Sequence, residues 1–210
     1  DGERVFFGHN HGGVNGKHPV VLEKEDIAYL NDVDLVISSK GSKMKPEEFQ
    51  KLYDAGIPIA YDFSNNSPQE NIEKITPLCK FAFLSAGSME DGETESLMKE
   101  RHRMGAQYVL ASRGEKPAVL YDGDKFYYQP SMPVRVVDTL GAGDSFFTAF
   151  LIAFLYRFPD GEKIEQEGLQ DCMRQGAVFA ARNCTIYGAA GDGIPFQEEH
   201  TQQKDFIPRT

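Results

Sequence analysis

Short apolar runs alternate along most of the chain with amphipathic stretches of helical length, and this alternation predicts an α/β fold with a largely parallel sheet. Strands are predicted at residues 34–38, 57–62, 81–85 and 107–112, with helices at 23–31, 46–55, 68–76 and 93–104 between them. Pro46 in a first turn and Gly56 just past an end are the residues that helix boundaries favour. From 118 to 128, two short runs flank Asp122-Gly123-Asp124, a hairpin pattern. Residues 134–137 are then predicted to return to the sheet, followed by a helix through about Arg157 and another from about Gln166 to Asn183. In such folds ligands bind beyond the carboxyl ends of the strands, so Asp62, Ser85 and Ser112 should converge on one crevice.

Composition narrows the partners. The 210 residues are 40% apolar and 26% charged, enough for one core of single-domain size over 1–210. A formal charge of −10 argues against nucleic acid or an anionic membrane, both of which reward clustered Lys and Arg. Cys79, Cys172 and Cys184 form neither a disulfide framework nor a Cys-x-x-Cys pair, and the start Asp1-Gly2-Glu3-Arg4 lacks signal-peptide character. A cytoplasmic location with reduced thiols is the expectation. No membrane span is expected, because no apolar run approaches the roughly 18 residues one needs.

The most specific chemistry lies at Asp138-Thr139-Leu140-Gly141-Ala142-Gly143-Asp144-Ser145, directly ahead of a long apolar run. Two glycines around an alanine at a helix start leave backbone N–H groups unpaired at the positive end of the helix, an anion seat. An aspartate is the wrong side chain to hold a phosphate, so Asp144 is assigned the acceptor's proton: a base for a hydroxyl attacking a phosphoryl group. A tight turn with a first-turn acid would account for each residue singly, but not for two acids flanking Gly-Ala-Gly.

Asp-Thr-x-Gly-Ala-Gly-Asp-Ser-Phe resembles the C-terminal signature of the ribokinase-like (PfkB) carbohydrate kinases and matches it at every specified position. The resemblance implies a ribokinase-like, mostly parallel sheet flanked by helices, with a partial β lid. It implies ATP and Mg²⁺ as cofactors and a sugar as substrate, with Asp144 as catalytic base and the N–H groups of Gly141, Ala142 and Gly143 around the phosphoryl group. Asp138 and Thr139 would shape the turn, a region that in this family can also bind K⁺.

Other segments carry the resemblance further. Ser112-Arg113-Gly114 stands where the family has a Thr-x-Gly-x-x-Gly-like turn facing the nucleotide phosphates, although Pro117 replaces the second glycine. Arg113 itself could reach a phosphate or be solvated. Residues 180–189 are similar to the segment lining the adenine pocket, with Asn183 and Gly188 as its nucleotide-side residues. The Asn-x-x-Glu motif that organises Mg²⁺ has no asparagine here, and Glu90 is the acid assigned its role, with Asp91, Glu93 or none of the three as alternatives, since acids ahead of a helix also serve as plain capping residues.

Substrate and assembly follow from the same resemblance. Residues 4–8 resemble a lid strand, so the likeness runs from the lid onward, with 1–20 a remnant of lid and connection and the family domain incomplete at its N-terminus. Lid edges that pair between subunits imply a homodimer. Tyr61-Asp62-Phe63-Ser64, Glu25-Asp26 ahead of Tyr29-Leu30, and Phe81-Ala82-Phe83 resemble the fructoselysine (fructosamine) 6-kinase branch. Ribose, fructose, a ketodeoxy-sugar or a nucleoside remain alternative acceptors, and a non-catalytic nucleotide-binding fragment is a further alternative. A Rossmann dinucleotide site fits poorly, since Gly-Ala-Gly-Asp lacks the third glycine.

Overall fold

Six strands form one sheet in the computed structural model, which describes residues 13–159 and 164–191. β1 (Val36–Ser39), β2 (Ile59–Ser64), β3 (Phe81–Ser85) and β4 (Tyr108–Ser112) run parallel in chain order. β5 (Ala118–Tyr121) and β6 (Phe126–Gln129) extend the sheet as the antiparallel hairpin. The helices are α1 (Gly13–Lys17), α2 (Lys24–Leu30), α3 (Pro46–Asp54), α4 (Gln69–Ile75), α5 (Asp91–Arg103), α6 (Ala142–Arg157) and α7 (Gln166–Asn183). The expected α/β class holds, and each element expected among the described residues, apart from 134–137, lies within two residues of its predicted bounds.

Alternation along each strand divides the core into two halves. Tyr61, Phe63, Ala82, Leu84, Val109 and Ala111 point to one face, where they pack with Phe49, Leu52, Ile75 and Met98 of α3, α4 and α5. Ala60, Phe81, Phe83, Leu110 and Leu120 point to the other and meet α6 and α7 through Phe147, Phe150, Phe154 and Met173. A sheet covered on both faces requires apolar residues at successive positions, and this is why β2, β3 and β4 read as continuous apolar runs. Phe83 stacks on Phe147 with ring centroids 4.6 Å apart, while Phe81 meets Phe154 edge-on at 4.9 Å. Each such pair contributes about 0.5–1.5 kcal/mol beyond the area it buries.

The strand expected at 134–137 does not form. Pro130 and Pro133, just ahead of it, have no N–H to donate to a ladder, and residues 134–137 carry no strand assignment. Val137 and Asp138 instead donate their N–H groups to the Cys184 carbonyl, at 2.8 and 3.3 Å, just beyond α7. The lid strand expected at residues 4–8, and the lid-paired homodimer with it, lie outside the described residues. No described helix is long and apolar enough to cross a membrane.

The α6–α7 contact depends on Gly176: a Cβ there would fall 2.8 Å from both the ring and the backbone carbonyl of Phe146. Gly176→Ala is expected to destabilise the protein by about 1–3 kcal/mol despite its better helix propensity. Gly92→Ala, with open space around the new methyl, should leave the urea midpoint unchanged or slightly higher. Equal midpoints for the two variants would contradict this packing.

Candidate active site

The N-terminus of α6 is delivered over the carboxyl ends of β3 and β4. A Cβ on Gly143 would lie 3.8 Å from Ser112 Oγ and 3.9 Å from the Phe83 ring, so the Gly-Ala-Gly turn rests on these two strand ends. Gly141 caps the helix at φ +78°, a left-handed conformation that disfavours side chains, and its missing Cβ would fall 2.7 Å from that of Ala189. The turn and the chain after α7 are therefore in contact.

Hydrogen bonds tie the two together. Asp138 accepts from the Leu140 N–H at 2.9 Å and from the Gly188 N–H at 2.8 Å. Asn183, only 6% exposed, donates its Nδ2 to the Ala189 carbonyl at 2.8 Å. Its Oδ1 is buried with no hydrogen-bond partner among the described residues, the kind of orphan that a ligand donor would satisfy. Asp138, Gly141, Asn183 and Gly188, assigned to one site from the sequence, are thus brought together.

The donors at the anion seat differ slightly from the expected set. Ala142 donates its N–H to the Thr139 carbonyl at 3.2 Å and Ser145 donates to Gly141 at 2.8 Å. Among the described residues, the N–H groups of Gly143 and Asp144 are left as the first-turn donors. The Asp144 carboxylate beside them is exposed, and no described cation pairs with it. It opens on a groove of about 540 Å³ between α6 and α7, lined also by Thr148, Ile152, Gln175 and Phe179.

On the other side of Asp144 is Asp62, at the carboxyl end of β2. It accepts from the Ser64 N–H at 2.7 Å and from Ser64 Oγ at 3.4 Å, which holds Ser64 at φ +53° where the β2–β3 register slips. Burial pushes the Asp62 carboxyl above its ordinary value; the Ser64 amide opposes this and the Asp144 charge adds to it. Lys40, after β1, bonds Asn66, after β2, and its charge also acts on Asp62. The sequence reading did not single out Lys40 or Asn66, although both follow carboxyl ends of neighbouring strands.

The turns after β3 and β4 are held by a clasp. Arg113 neither reaches outward nor is solvated: it is 3% exposed, bonded to the Met89 carbonyl at 3.2 Å and to Asp91 at 2.5 Å. Lys116 reaches the same carbonyl at 3.0 Å and Glu90 at 3.3 Å. Glu90 forms a capping box with Glu93 at the start of α5, its side chain 81% exposed. Gly114 turns at φ +62° with open space beside it. Among the described residues no group of three or more His, Cys, Asp or Glu is arranged to hold a metal ion.

This geometry sits within a clear family match. Residues 27–196 match the model of the pfkB family carbohydrate kinases. The chain belongs to that family. It is 32% identical over 198 residues to the fructosamine kinase FrlD of Bacillus subtilis (strain 168), covering 94% of this chain and 66% of that protein. It is 31% identical over 189 residues to the fructoselysine 6-kinase of Escherichia coli (strain K12), covering 90% and 67%. The fold is shared with Arabidopsis thaliana ribokinase complexed with ribose and ATP, at a TM-score of 0.63 and 21% identity, over 81% of this chain and 56% of that one. The chain thus spans about two thirds of these curated relatives and just over half of that structure.

The clasp generates an asymmetric prediction. Asp91→Asn leaves a buried guanidinium with little to compensate its charge and should cost about 1–3 kcal/mol. Arg113→Met leaves only a carboxylate whose side chain is 75% exposed and hydrates readily, so its cost should be smaller, under about 1 kcal/mol. Chemical denaturation of both variants checks the order, and a larger loss for Arg113→Met would contradict it.

Proposed function

We propose that this pfkB-family chain carries the phosphoryl-transfer site of an ATP-dependent sugar kinase, with a primary hydroxyl of a fructosamine such as fructoselysine as acceptor. The observation that carries the reading is the exposed Asp144 carboxylate, without an ion pair among the described residues, beside the Gly143 and Asp144 N–H donors at the α6 N-terminus. The fructosamine acceptor is supported by the likeness to the two ketosamine kinases and by the Asp62-Phe63-Ser64 segment.

In this reading Asp144 takes the proton from the sugar hydroxyl as its oxygen attacks the γ-phosphorus of ATP. The bond from that phosphorus to the bridging oxygen breaks and ADP leaves. The Gly143 and Asp144 N–H groups, with the helix dipole behind them, stabilise charge on the phosphoryl oxygens. Ser112, Gly114, Asn183 and Gly188 form the nucleotide side, where the orphaned Asn183 Oδ1 can take a donor from the base or ribose. Asp138 and Thr139 hold the turn, with each Asp138 oxygen accepting a backbone N–H group.

Mg²⁺ enters phosphoryl-transfer sites on the substrate phosphates with only one or two carboxylates from the protein, and it neutralises charge there when bound. Glu90 is the exposed carboxylate proposed to meet it.

Asp144→Asn is expected to lower turnover by about 10²–10⁴-fold on a panel of ketosamines and free sugars. Binding of an ATP analogue, measured by calorimetry, should stay within about twofold, because the variant removes only the group acting in the transition state. Retained turnover would remove Asp144 from the role. Nucleotide binding by the wild-type chain without turnover of any sugar would favour a non-catalytic binding unit instead.

A further inference from the structure

Asp62 occupies a position that the transfer chemistry at Asp144 leaves without a task. It shares its face of β2 with Ala60, which packs toward α6 and α7, whereas Tyr61 and Phe63 pack the opposite way. Its register partners are Phe83 on β3 and Ser39 on β1. Phe83 is the residue whose ring stacks on Phe147 and reaches Gly143, so Asp62 stands one strand further out on the α6 side. Asp144 lies close enough for its charge to act on Asp62.

The sheet order assigns the two sides of Asp144. Ser112 is at the end of β4 and α7 packs on β6, which puts the nucleotide residues toward the hairpin. Asp62, with Ser39 and Lys40, lies toward β1 instead. A polyol acceptor approaching Asp144 from that side meets Asp62 next.

A second carboxylate here works against folding: it is partly desolvated and near a like charge. Holding the Ser64 turn needs only one acceptor, which a neutral amide would supply. What the carboxylate adds is strong accepting capacity, since Oδ2 has only the long 3.4 Å contact with Ser64 Oγ. Sugars present hydroxyl donors.

We propose that Asp62 is an acceptor-binding residue of this site, taking a hydrogen bond from the ring hydroxyl nearest the reacting primary hydroxyl and so fixing the sugar against Asp144. This rests on the kinase reading above and adds a specificity-determining contact to it. Lys40, bonded to Asn66, moderates the charge of the carboxylate from the β1 side and leaves its hydrogen-bonding task intact.

The test compares Asp62→Ala and Asp62→Asn on the intact acceptor and on the deoxy sugar lacking that ring hydroxyl, with ATP saturating. Wild type should favour the intact sugar by about 10–100-fold in kcat/KM, the range for a hydrogen bond to a charged group. Asp62→Ala should abolish that preference by losing activity on the intact sugar alone, with the KM for ATP unchanged. Asp62→Asn, which keeps the Ser64 bond and a neutral acceptor, should retain an intermediate preference. Equal losses on both sugars would assign Asp62 to the turn only and overturn the proposal, as would a preference unaltered in both variants. If wild type turns over neither sugar nor any ketosamine, the kinase reading fails and this contact falls with it.

Discussion

The stacking of Phe83 on Phe147 sets where everything else in the site can be. It anchors the second turn of α6 to the middle of β3, so that the helix start, whose Gly143 and Asp144 N–H groups have no partner among the described residues, opens over the crevice beyond the parallel strands. The aromatic ladder continuing through Phe150 and Phe154 to Phe81 keeps the helix from sliding along the sheet. Gly143 completes the fit, lying in van der Waals reach of Ser112 and Phe83.

Three aspartates around that helix start have different environments, and the differences follow from their hydrogen bonds. Asp138 accepts two backbone N–H groups and is used to join the turn to the chain after α7. Asp62 is partly buried, bound to Ser64 and raised by desolvation. Asp144 is exposed, with no described ion pair. Only a carboxylate left open in this way can exchange a proton with a ligand without first breaking a structural bond. The Arg113–Asp91 clasp works in the opposite sense: it uses charge to hold the turns after β3 and β4 together.

What could be read in advance was whatever depends on neighbours in sequence. The octet was legible because a left-handed cap at Gly141, pressed against Ala189, demands glycine, and the flanking acids have fixed spacing. The strands and helices were legible because burial on both faces of the sheet writes continuous apolar runs. Residues 134–137 misled because their β-branched pattern has a strand's period, while the partner that claims the N–H groups of Val137 and the adjoining Asp138, the Cys184 carbonyl, is far along the chain. The burial of Arg113 was hidden for the same reason: Met89 and Asp91 stand more than twenty residues before it. The amide of Ala142 looked available because the Thr139 carbonyl's turn toward it is a matter of backbone geometry that residue types do not specify.

The central claim is that the first-turn amides of α6 receive the migrating phosphoryl group. Backbone NMR of the ¹⁵N-labelled chain, titrated with ADP and aluminium fluoride in the presence of Mg²⁺ and an acceptor sugar, tests it directly. The account predicts that the Gly143 and Asp144 amides undergo the largest shifts and become protected from exchange, beyond what ADP alone produces. Amides at Gly143 and Asp144 that stay unmoved while the Ser112 and Gly188 regions respond would contradict it.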